Sequence, residues 1–138
     1  MMFNKKTLAA IALAGAILAP SASFAGATRP ECILNERNIT SVTPYRVQHS
    51  AGRGVASRLA GAQIFVTAEP GLTAQWLELT LARHIARMQS TSMKDCALDV
   101  NDVKVRVDPA GTGFAVKLIA RDASQAEEVL RRARLLDH

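Results

Sequence analysis

The stretch "VKVRVDPAGTGFAVKLIA", residues 103–120, decides the fold. Its first five residues alternate strictly, with Val103, Val105 and Val107 on one side and Lys104 and Arg106 on the other. Side chains along a strand point to opposite faces in turn, so this pattern predicts a strand with one dry face and one wet face. "DPAGTG", 108–113, is a cluster of turn formers. "FAVKLIA", 114–120, resumes the alternation with Phe114, Val116, Leu118 and Ala120 together. Two such runs joined by about five turn residues predict a β-hairpin. Its apolar face needs a second layer to cover it.

Helices on either side supply that layer. Downstream, "SQAE" reads as a capping box from Ser124 to Glu127, and Ala126, Val129, Leu130 and Ala133 fall on one helical face. Glu127 with Arg131 and Glu128 with Arg132 are four apart in the favourable order, and Arg131, Arg132 and Arg134 suit the negative end of the helix dipole. This charge run is read as a solvated helix face. Upstream, Thr73 is a natural N-cap, with Leu72 placed to staple onto Leu77. Leu77, Leu81, Ile85 and Met88 then form a stripe at helical spacing. Trp76 and Leu79 lie off that stripe and imply a second contact, with the N-terminal segment or with a partner. Before this helix, "AQIFVTA", 62–68, is rich in strand formers with apolar side chains on both faces, as in a central strand.

Residues 26–60 show the least regular pattern. They predict at most a short strand at 45–49, where Tyr45, Val47 and His49 share a face and Pro44 suits a strand start or edge. "HSAGRGVASRLAG", 49–61, reads as a loop, with at most one helical turn near "VASRLA", 55–60. Its Gly52 and Gly54 make a weak phosphate-loop signal, with neither GxGxxG nor GK[ST] present. The expected fold is a small α+β two-layer sandwich. A mainly antiparallel sheet carries helices on one face, in the order (β)-β-α-β-β-α. Residues 61–138 form its α+β core, and 26–60 belong to the same domain.

The first residues bear on compartment. "MMFNKK" is basic, 8–19 is an unbroken apolar run, and Ser23 and Ala25 are small residues at the −3 and −1 positions of a cleavage site. Residues 1–25 are therefore read as a signal peptide, giving a periplasmic or secreted chain that starts near Gly26. The apolar run is shorter than the roughly 20 residues that span a bilayer, and no other stretch approaches that length. Without Lys5 and Lys6 the formal charge falls from +5 to +3. Only four aromatic residues, Tyr45, Phe65, Trp76 and Phe114, follow residue 25, and an exported chain with so few stacking groups argues against nucleic acid.

Chemistry-bearing residues are sparse. GxSxG and HExxH are absent, and Ser50 beside His49 is adjacent in sequence, whereas catalytic partners meet in space. No enzymatic activity and no cofactor are expected; a small hydrolase is the remaining enzyme class. In "HIARMQSTSMKDC", 84–96, His84 and Met88 are one helical turn apart and Met93 follows. Imidazole with thioethers suits a soft metal such as copper, which gives an alternative reading as a periplasmic copper-type binder. Met in an apolar stripe is also ordinary core filler. Cys32 and Cys96, two cysteines in an exported chain, are expected to form one disulfide. The leading expectation is a non-enzymatic accessory domain that binds a protein or envelope component. Trp76, Leu79, Lys104 and Arg106 are its candidate contact residues.

Overall fold

The computed structural model describes residues 31–137. The expected leader and cleavage point lie outside the described residues. Four strands, β1 (Ile39–Ala51), β2 (Gly54–Thr67), β3 (Lys104–Ala110) and β4 (Gly113–Ile119), form one antiparallel sheet in the order β1-β2-β4-β3. Two helices, α1 (Ala74–Met88) and α2 (Ala123–Arg134), lie on one face of it, α1 over β3 and α2 over β2. The fold is a small α+β sandwich with element order β-β-α-β-β-α.

Alternation builds the core. Ala62, Ile64 and Val66 of β2, Val116 and Leu118 of β4 and Val107 of β3 turn toward the helices and are buried. Leu77 and Leu81 of α1 and Val129 and Ala133 of α2 meet them from above. The gap between the helices is filled by a single 3-10 turn, Ile33–Glu36, and by the loop after α1, whose Leu34, Ala97 and Leu98 are essentially free of solvent. A disulfide between Cys32 and Cys96, with Cα atoms 5.3 Å apart, ties these two irregular pieces together. Arg132 of α2 donates from Nη1 to the carbonyls of Cys96 (3.2 Å) and Asp99 (2.8 Å). It is therefore largely buried in a structural contact, where the charge pattern predicts a solvated face.

The sequence expectations need four further corrections. Residues 39–60 are strand almost throughout, where an irregular segment with a short strand at 45–49 is expected. The turn of that first hairpin is Gly52-Arg53, and Gly52 takes φ +61, as the first position of a type II′ hairpin turn requires. The second hairpin also closes with two residues, Gly111-Thr112, rather than five, so Asp108, Pro109 and Ala110 extend β3. Pro109 is tolerated because β3 is an edge strand. The N–H of Val107 donates away from the sheet to Glu78 Oε2 (2.8 Å), and strand alternation puts the nitrogen of Pro109 on that same outer side. The N-cap of α2 is Asp122, whose Oδ1 accepts from the Gln125 N–H (2.9 Å), in place of Ser124. A carboxylate is a stronger acceptor there and complements the helix dipole. Finally, Glu128 takes both Arg131 (2.7 Å) and Arg132 (2.6 Å), so the expected Glu127–Arg131 pair does not form. The two guanidiniums, Arg131 first, hold the Glu128 carboxyl down at about 2.

Candidate interaction surface

Among the described residues, none forms a layer over the second face of the sheet. The register arranges its residues in three rows of four. Across the middle run Arg106, Lys117, Gln63 and Thr43. On one side lie Asp108, Ala115, Phe65 and Ser41, and on the other Lys104, Ile119, Gly61 and Tyr45. Lys117 organises the grid: its Nζ donates to Asp108 Oδ2 (2.8 Å) and stands 5.6 Å from the centre of the Tyr45 ring. That hydrogen bond, ahead of the charge itself, keeps the Asp108 carboxyl below its usual range.

Two cations, Arg106 and Lys117, are directly opposed across β3 and β4. Like charges in that position destabilise a sheet. Asp108 answers one of them, and Lys104 adds a third cation nearby, leaving the face basic around two half-buried aromatic rings.

Gly61 makes the geometry possible. Its φ is +150, and a Cβ there would lie 1.8 Å from the Leu118 carbonyl oxygen. The β1–β2 register shifts at this point, with Tyr45 opposite Gly61 but Arg46 opposite Leu59. Such a bulge bends and twists its strand. Pairing with β4 also stops here, at Gly61 and Ile119. Beyond the bulge β1 and β2 continue as a two-stranded ribbon carrying Arg46, Arg53, Arg58 and His49, and residues 46–59 contain no acidic side chain. Tyr45, Val47 and His49 share one side of β1, as expected, so the bare face runs on along the ribbon through Val47 and Arg58.

The four expected contact residues separate into two pairs. Lys104 and Arg106 lie on the bare face and are exposed. Trp76 and Leu79 sit in the helix layer, 48% and 50% exposed. The Arg37 guanidinium stacks 5.5 Å from the Trp76 ring and pairs with Glu69 (3.5 Å), so Trp76 has a partner in the N-terminal segment. Sequence reasoning did not select Tyr45, Phe65 and Lys117 for this surface. The available signal was alternation: Gln63 and Phe65 oppose the Ala62, Ile64, Val66 side of β2, and Lys117 opposes the Val116, Leu118 side of β4.

Of the residues of the copper reading, His84 and Met88 are one turn apart on α1 and Met93 lies in the loop after it. Met88 is buried and lines a hollow with Ile85, Leu98 and Asp99. Met93 lines a different hollow beside Cys32 and Cys96. Its N–H donates to Asp99 Oδ2, which also accepts from Ser92 Oγ (3.2 Å). His84 lines neither hollow, and its Nε2 is buried without a hydrogen-bond partner. Burial first, then Arg87, lowers the His84 pKa below the ordinary imidazole value, against the pull of Glu36. Among the described residues, no three His, Cys, Asp or Glu side chains converge as a metal site, and no helix is long and apolar enough to cross a membrane. Comparison with family models, curated proteins and solved structures returns no match.

Proposed function

We propose that the protein is an exported, non-enzymatic binding module, and that the bare sheet face is the surface on which it meets a protein or envelope component. One observation carries this reading: the face opposes Arg106 to Lys117 beside Lys104, an arrangement that costs stability and has no counterpart in the packed half of the molecule. A basic face around two aromatic rings favours an anionic partner, since the rings offer contact area and the cations steer the encounter. The disulfide supports export, because such bonds persist in oxidising compartments.

The test is site-specific photo-crosslinking in the producing cell. A crosslinking residue placed at Gln63 or Lys104 should give an adduct of one defined mass, and one placed at Arg83 on the outer side of α1 should give none. Equal adducts from all three positions, or none from the sheet positions, would remove the bare face from the account.

A further inference from the structure

The ribbon beyond the bulge has an open edge that the rest of β2 lacks. From Gly61 to Thr67, β2 is paired on both sides, by β1 and by β4. From Gly54 to Leu59 it is paired with β1 alone. β4 leaves the sheet at Ile119, and the last bond toward β2 on that side is from the Ala120 N–H to the Ala60 carbonyl (2.8 Å). Its chain then turns into α2. Among the described residues, none pairs with 54–59 in the lane that β4 would occupy. Its near end opens on a notch formed by Asp102, Lys104, Ile119, Ala120 and Arg121.

The geometry points to this lane as a strand-docking site for an extended, acidic segment of a partner protein. Every second residue of 54–59 turns its N–H and C=O toward the lane, which is the template that β-strand addition uses. A lone two-stranded ribbon is marginal in water, and a third strand would extend the sheet over it.

Charge selects the occupant. Arg46, Arg53 and Arg58 project from the ribbon, and Lys104 and Arg121 stand at the notch. Asp102, the one carboxylate lining the notch, is engaged by Arg121 at 3.2 Å. Charged side chains guard open edges against unwanted strands, and positive ones admit an acidic strand while repelling a basic one. A second copy of this chain would set one triply cationic, acid-free ribbon against another. An anionic lipid surface would meet the arginines but leave the ordered backbone edge unused. The inference rests on the proposed binding role and deepens it, since the lane adjoins the bare face at Lys104.

The test uses the oxidised, isotope-labelled protein and a capped octapeptide of alternating Glu and Val. Two further versions of this probe are N-methylated at alternate residues, in odd or in even positions, and a fourth alternates Lys and Val. The Glu/Val peptide should shift amides of residues 54–60 and slow exchange at every second one. One N-methylated version should bind and the other should not, because only one set of peptide N–H groups faces β2. The Lys/Val peptide should not bind. Arg46→Glu with Arg58→Glu should weaken the Glu/Val peptide at least about tenfold, with the thermal midpoint unchanged as a check on folding.

Absence of shifts at 54–60 overturns the inference, as does equal binding of both N-methylated peptides. So does a ribbon-mediated dimer seen by sedimentation, or Arg58-dependent binding to anionic phosphatidylglycerol vesicles without peptide binding. If the peptide fails while the Lys104 crosslink persists, strand docking falls and the bare-face reading stands. If both fail, the binding role itself falls.

Discussion

The two faces of the sheet are built from the same strands and differ in almost every physical respect. On the helix side, Ile64, Val116 and Leu118 are wholly buried and meet apolar side chains from both helices. One residue along each strand, Gln63, Lys117 and Ile119 look out from a surface that no described residue covers as a second layer, and two cations oppose one another across it. The packed face accounts for stability. The bare face adds little to it, since Arg106 and Lys117 repel while Lys117 pairs with Asp108. Under the proposed function, interactions that serve folding and those that serve binding sit on alternate residues of one chain.

The sharpest way to break this comparison is to substitute neighbours. Leu118→Ala should destabilise by about 2–5 kcal/mol, as lost burial and a residual cavity add together. Lys117→Ala, one residue away, should cost about 0.2–1 kcal/mol, the range of a solvent-screened ion pair. Urea denaturation measures both, and similar losses would show that the bare face is structural too.

The disulfide comes next. It closes a separation of 64 residues and holds the 3-10 turn and the 96–98 loop in the packed half. Cys32→Ser and Cys96→Ser should each cost about 2–5 kcal/mol, and the double variant about the same as either single, since one bond is lost in all three. Additive losses would mean that the two thiols act separately.

How far the sequence reveals this division depends on burial. The β3–β4 hairpin, the stripe of α1 and the inner face of α2 were legible because one side of each is dry and the other wet. Cys32 with Cys96 was legible from parity and the compartment expected of the chain. The β1–β2 ribbon was not, because beyond Ala60 only Leu59 packs against the core, and "VQHSAGRGVASRL" therefore carries no hydrophobic period to read. The edge proline in β3 had the same effect, since "DPAG" has turn chemistry wherever it falls and only the sheet order shows that Pro109 faces an open side. Lys104 and Arg106 could be assigned to a wet face from local alternation. Their neighbours Lys117, Tyr45 and Phe65 could not, because a cross-strand row is set by the register between segments far apart in sequence.

Titration sharpens the comparison more gently. The His84 pKa is lowered in the folded protein, so the unfolded chain takes up that proton first as pH falls. Stability from this group is complete above the unfolded value of 6.5 and declines as pH drops through it. Glu128, at about 2 when folded against 4.5 unfolded, adds a second decline that begins near 4.5 and ends near 2. Thermal melts across that range should show two steps, and His84→Asn should flatten the upper one alone. An unchanged upper step would assign it to another group.

Arg106→Glu tests the central claim most directly, because stability and binding predict opposite signs for it. Placing a carboxylate opposite Lys117 converts a like-charge pair into an opposite-charge pair, and should raise stability by about 0.2–1 kcal/mol. The same change lowers the positive charge offered to an anionic partner. With the crosslinking residue at Lys104, Arg106→Glu should give a protein that is at least as stable and yields markedly less adduct. A stable variant whose adduct is undiminished would contradict the assignment of the bare face to binding.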